Sequence, residues 1–184
     1  MSKPIKHFRT ITKHRHKVIA HCFKAGIGFQ GLFHDLSKYS PREFLVGAKY
    51  YQGHRSPNEE ERVQFGYSRA WMHHKGRNRH HFEYWTDYNP QTRVVEPVSM
   101  PFNYVIEMFC DRVAASTIYN GKKYKDSDPL NYFLKSKAKR FIHKDTSDKL
   151  ESLLEMLSIK GEKETFAHIK SEIKAYKKHR KTKK

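Results

Sequence analysis

At 184 residues the chain is the length of one domain, and 37% hydrophobic residues, 14% of the chain being aromatic, suffice to bury a core. The formal net charge is +18, so polyanions such as nucleic acid, nucleotides and phosphorylated small molecules are the favoured partners. No run reaches the ~18 apolar residues of a membrane span, the N-terminus lacks the apolar stretch of a signal peptide, and two cysteines without CxxC spacing fit a reducing cytoplasm.

Strand patterns are almost absent, while helix punctuation recurs, so the fold class is all-α. A first helix is expected from about Thr10 to Lys24, with Ile11, His14, Val18 and Cys22 near one face and Gly26 and Gly28 ending it. A short second helix carries Phe29 to about Asp35. Ser40-Pro41-Arg42-Glu43 has the form of a capping box with proline at the first helical position, opening a third helix to about Tyr51.

Ser56-Pro57 starts a further short helix. Ser68 caps another, over Arg69 to Lys75, which Gly76 stops; Asp87 to Pro90 reads as a turn. After Pro101, "FNYVIEMFCDRVAAS" is the strongest helix, closed by Asn120-Gly121. Helices over Asp128 to about Ile142, Ser147 to Ile159, and from Gly161 onward complete the chain, the last dissolving into a basic tail. Seven of the twelve residues from Ile173 to Lys184 are Lys or Arg. The division expected is a core over 1–121, helices packed on it over 122–172, and the tail over 173–184.

The chemistry is concentrated in a subset of the thirteen histidines. "GLFHDLSK" sets His34 beside Asp35, and "HHKGRNRHH" presents His73, His74, His80 and His81. Asp111 lies inside the most apolar helix, four residues after Glu107 and on the same face. Two carboxylates facing a core call for a cation. Imidazoles with carboxylates suit Mn, Fe, Co, Ni or Zn, as one ion or two, better than an all-oxygen cage for Mg or Ca.

The ordered set His…His-Asp…His…His…Asp on successive helices resembles the HD-domain superfamily of metal-dependent phosphohydrolases. The pairing of "HDLSK" with HHxxxNxHH is similar to one branch of it, and that likeness extends through "MPFNYVIEMFCDRVAAS". The resemblance implies an HD-domain-like helical bundle with extra C-terminal helices. Its metal ligands would be an early histidine, His34, Asp35 and Asp111, with second-metal ligands drawn from His73, His74, His80 and His81. The set taken forward is His14, His34, Asp35, His74, His80, His81 and Asp111. For the early histidine, His14 starts an apolar face, His21 lies on nearly the same face seven residues on, and His16 points elsewhere.

The activity implied is hydrolysis of a nucleotide or other phosphate ester by metal-activated water. Asp35, Glu107 and Lys38 would be catalytic, Glu107 either as general base or as the carboxylate orienting a histidine. Lys38, Arg77 and Arg79 would neutralise substrate phosphate. Asn78 reads either as a hydrogen-bonding support or as a turn residue. The same ligand set permits an HD-like di-iron oxygenase. The charge also permits a non-catalytic nucleic-acid-binding protein with a structural metal, and a homo-oligomer is compatible with the leucine stripe at Leu150 to Leu157.

Overall fold

A computed structural model describes residues 2–53 and 55–182. The fold is all-α: helices α1 (Lys3–Lys24), α2 (Gly28–Gly31), α3 (Pro41–Lys49), α4 (Pro57–Phe65), α5 (Arg69–Lys75), α6 (Phe102–Asn120), α7 (Asp128–Leu134) and α8 (Lys144–Thr182), with one small hairpin. The end of the basic tail, residues 183–184, lies outside the described residues.

α6 is the centre of the bundle. Val105, Ile106, Met108, Phe109, Cys110, Val113 and Ala114 are buried around its whole circumference, as expected of a helix walled in on all sides. α1 packs on one side of it, and α7 and α8 pack on the others. One hydrophobic cluster joins Val18 and Cys22 of α1, the α6 residues, Phe133 of α7, and Leu150, Leu153, Leu154, Leu157, Phe166 and Ile169 of α8. Cys22 and Cys110 are free thiols buried in it.

α1 begins at Lys3, two turns before the Thr10 expected. Pro4 sits in its first turn, where the missing N–H costs nothing. Its buried stripe is His7, Ile11, His14, Val18, His21 and Cys22, so three histidines recur every seven residues along one face. Each meets a different neighbour. His7 abuts Gly47 of α3, where a Cβ would come within 2.2 Å of the ring nitrogen Nε2. His21 packs on Phe166 of α8, with ring centroids 5.2 Å apart.

His21 is fully buried, and its Nδ1–H donates to the Cys110 carbonyl at 3.4 Å. Burial pulls its pKa from the ordinary 6.5 down to about 4, with Glu162 opposing the shift. A histidine neutral in the fold but protonated on unfolding contributes stability that is complete above pH 6.5. That contribution is lost as pH falls toward 4. It is worth up to about 3 kcal/mol. Urea unfolding at about pH 7 and about pH 4.5 should therefore show a smaller drop in stability for His21→Phe than for the wild type. Equal drops would assign the acid sensitivity to other groups.

Four boundaries differ from expectation. The segment expected as a second helix to Asp35 is the single turn of α2, then irregular turns and a 3-10 helix at Leu36–Tyr39. The expected turn at Asp87 to Pro90 is mostly strand. β1 (Thr86–Asn89) pairs antiparallel with β2 (Val94–Pro97), and the chain reverses over residues 90–93, where Asn89 Oδ1 accepts from the Gln91 and Thr92 N–H groups. α7 stops at Leu134, followed by a 3-10 turn at Lys137–Lys139, instead of running to Ile142. The basic tail stays helical to Thr182 because its inner face is anchored. Ile173 is buried, and Tyr176 lies edge-on to Phe102 with ring centroids 5.7 Å apart. α8 breaks at Gly161 (φ 75°, ψ 174°), a conformation that favours glycine.

Candidate metal centre

Seven side chains from four regions converge beside α6: His14 of α1, His34 and Asp35 at the bend after α2, His74 of α5, His80 and His81 beyond it, and Asp111 of α6. They form two groups that share Asp35. In one, ligand atoms of His14, His34, Asp35 and Asp111 all lie within 4.8 Å of one another; in the other, those of Asp35, His74, His80 and His81 do so. The two oxygens of Asp35 divide between the groups. Oδ2 is 3.2 Å from His34 Nε2 and 3.9 Å from His14 Nε2, while Oδ1 is 3.2 Å from His74 Nε2 and 3.5 Å from His80 Nε2. Asp111 Oδ1 closes the first group, 2.9 Å from His14 Nε2 and 3.7 Å from His34 Nε2.

The local backbone explains how adjacent residues serve one centre. Asp35 has φ 54° and ψ 24°, a left-handed conformation rare outside glycine. That twist turns the Asp35 side chain into the interior beside His34, and both residues are 1% exposed. Arg15 braces the bend, its guanidinium donating to the Leu32 and His34 carbonyls. A strained, fully buried His-Asp bend is the kind of distortion found at functional sites.

A second ring of residues fixes the imidazoles. Glu107 Oε1 accepts from His34 Nδ1–H at 3.0 Å and lies 3.2 Å from His80 Nδ1, while Gln30 Nε2 donates to its other oxygen at 2.5 Å. Glu43 holds the opposite side, accepting from His73 Nδ1–H at 2.6 Å and from His74 Nδ1–H at 2.8 Å. With the Nδ1 protons engaged outward, His34 and His74 aim Nε2 at the centre; against burial, Asp35 raises the pKa of both rings, so a bound cation would take the place of their Nε2 protons. Asn78 donates to the His74 carbonyl and to Ser37 Oγ, both at 2.8 Å, which locks the turn carrying His80 and His81.

These residues fit a metal. His14 Nε2, His34 Nε2, Asp35 Oδ1 and His80 Nε2 are buried atoms without a hydrogen-bond partner among the described residues, and all four face the centre. Unsatisfied polar atoms cost about 1–3 kcal/mol each when buried, a cost that a cation shared among these atoms would relieve. The electrostatics agree. Burial alone would raise the Asp35 pKa, but His34, Lys38 and His74 hold it well below the usual carboxylate range. Asp111 is held down in the same way by His14 and His34. The pocket thus carries two carboxylates that stay ionised and are balanced by positive charge.

The family comparison covers this region. A family model described as a family of unknown function, DUF5662, matches residues 3–156. The chain belongs to DUF5662. No curated protein and no solved structure matches the chain. The span matched by the DUF5662 model contains all seven cluster residues together with Glu43 and Glu107, and it ends inside α8 before the break at Gly161.

Of the three early histidines, His14 joins the cluster, His16 is exposed and His21 faces α8. His73 stays outside, bound to Glu43. Lys38 pairs with Asp35 Oδ2 at 2.5 Å. Glu107 sits behind His34 and His80. Arg77 and Arg79 are not brought to the centre. Both are exposed, Arg77 reaching the His73 carbonyl at 3.5 Å and Arg79 lying over the Tyr84 ring.

The residue hidden from sequence reasoning is Glu43. Ser-x-x-Glu before a helix matches a capping box, yet Ser40 makes no capping bond and the Glu43 carboxylate turns to the two histidines. The Ser40 N–H that a capping box would offer Glu43 donates to the Ser37 carbonyl at 2.9 Å, and the carboxylate is left to the imidazole donors. Nothing local in the sequence distinguishes the two outcomes. Among the described residues, no helix is long and apolar enough to cross a membrane.

Proposed function

We propose that the DUF5662 chain is a metal-dependent phosphohydrolase of HD type, acting on a nucleotide or other phosphate ester with two transition-metal ions. The single observation that carries this reading is Asp35. Its two carboxylate oxygens face separate ligand groups, as a carboxylate bridging two ions must. A pair of Mn, Fe, Co, Ni or Zn ions there would supply Lewis acidity toward a phosphoryl oxygen and a water acidic enough to attack phosphorus.

The protein's own groups do the rest. His34 and His80 are held by Glu107, and His74 by Glu43, so the ligand geometry is set before substrate arrives. Lys38 pairs with Asp35 and also lines a cavity of about 90 Å³ with Thr10, Tyr51, Arg55 and Tyr119. A cavity of that size beside a cationic side chain suits a phosphoryl group. Lys38 would bind its non-bridging oxygens as charge shifts toward the leaving group.

The test is phosphate release from a broad panel of phosphate esters with Mn²⁺, Co²⁺ or Ni²⁺, comparing wild type with Lys38→Ala. The expected result is metal-dependent turnover that falls about hundredfold in the variant while bound metal is retained. No release from any ester by fully loaded protein would defeat the hydrolase reading. Oxygen uptake by the iron-loaded form would turn it toward an oxygenase.

A further inference from the structure

A second, larger cavity, of about 580 Å³, opens beside His73. Sites for small molecules occupy roughly 300–1,000 Å³. None of the seven cluster residues lines it. Its wall is shared by α3, α4 and α5, and its link to the centre is His73, which borders the cavity while its Nδ1–H donates to Glu43.

The lining has two chemistries. Arg42, Lys49 and Arg69 supply positive charge, and none of them pairs with a carboxylate among the described residues. Lys49 lies over the Tyr50 ring at 5.0 Å, and Arg69 Nε–H donates to the Tyr67 hydroxyl at 3.1 Å. The one acid in the wall, Glu61, is buried. It accepts from the Ser68 hydroxyl at 2.6 Å and the Ala70 N–H at 3.3 Å, so its hydrogen bonds serve the start of α5; its charge attracts Arg69, one acid against three cations in the wall. The second chemistry is aromatic: Phe65 is 59% exposed and Tyr67 48%, both along the cavity wall.

Three cations against one acid favour an oxyanion, and open aromatic faces favour a planar ring. We propose that this cavity binds a phosphate ester bearing a planar ring, of mononucleotide size, at a site separate from the metal centre. The phosphate meets Arg42, Lys49 and Arg69, and the ring lies against Phe65 and Tyr67. The site stands on its own lining and does not depend on the hydrolase reading.

AMP is the probe, with inorganic phosphate and adenosine as its two halves, titrated calorimetrically into the purified full chain. The expected result is a saturable AMP-binding event that survives Lys38→Ala. It should weaken about tenfold in Arg42→Ala and in Arg69→Ala, and each half-probe should bind at least about tenfold more weakly than AMP. Both arginine positions are exposed, so these variants should keep the wild-type melting temperature and metal content. Absence of saturable binding would overturn the proposal. So would binding lost in Lys38→Ala but kept in both arginine variants, which would move the nucleotide to the metal centre. Phosphate binding as tightly as AMP would overturn the role of the ring.

Discussion

Asp35→Asn should empty the protein of transition metal, whereas Asp111→Asn should leave the metal of one group in place. The difference follows from which atoms each carboxylate presents. Asp35 Oδ2 faces His14 and His34, and Oδ1 faces His74 and His80, so neither group keeps its carboxylate without Asp35. Asp111 belongs to the first group alone, and the second retains Asp35 with three histidines. An amide matches the carboxylate in volume but lacks the charge that offsets a buried cation. Losing one partner of a buried charge set costs about 3–5 kcal/mol. Metal content of protein purified without added metal should therefore fall at least about tenfold in Asp35→Asn and roughly by half in Asp111→Asn. Circular dichroism should show the helical content of the wild type in both. Equal, undiminished metal in both variants would remove the shared-carboxylate reading.

Glu107→Gln and Glu43→Gln should weaken metal binding without changing its stoichiometry. Neither carboxylate is expected to ligate; each holds the outer nitrogen of histidines whose inner nitrogen faces the centre. Glutamine keeps the shape and one acceptor but loses the charge that makes the imidazole a strong donor to metal. The loss expected from such a change is about 10–100-fold in affinity. Chelator competition should report that weakening, while saturating metal should restore the full ion count. The two variants should also differ in which ion they weaken. Glu107 supports His34 and His80, one histidine of each group, whereas Glu43 supports only His74 of the second. A reduced ion count at saturation in Glu107→Gln would show that Glu107 is itself a ligand, for which His34, His80 and Glu107 lie close enough.

Much of this could be anticipated from local chemistry. Ser68 caps α5, its Oγ accepting from the Trp71 N–H at 3.0 Å, because that choice is settled within four residues. α6 was legible as a strong helix from its apolar run between Pro101 and Asn120-Gly121; its place walled in on all sides is what the fold added. The pairing of His34 and Asp35 was legible as a cation-binding doublet, while the left-handed Asp35 that turns both toward one centre was not. The hairpin was not legible, since four-residue strands paired only to each other carry too little alternation to stand out.

The sequence by itself determined the all-α class, the strong apolar helix that became α6 and the residue types able to hold a cation. Only the tertiary structure decided which of them meet. His7, His14 and His21 lie seven residues apart on one buried face of α1, and the apolar face beginning at His14 favoured it over His21 only slightly. They differ in what packs opposite: α3 against His7, α8 against His21, and two carboxylates with His34 against His14. Glu43 was settled in the same way, its carboxylate drawn from a helix start to two histidines about thirty residues away. A helix fixes the face on which a side chain lies, but the partner on that face comes from elsewhere in the chain, and the partner sets the chemistry.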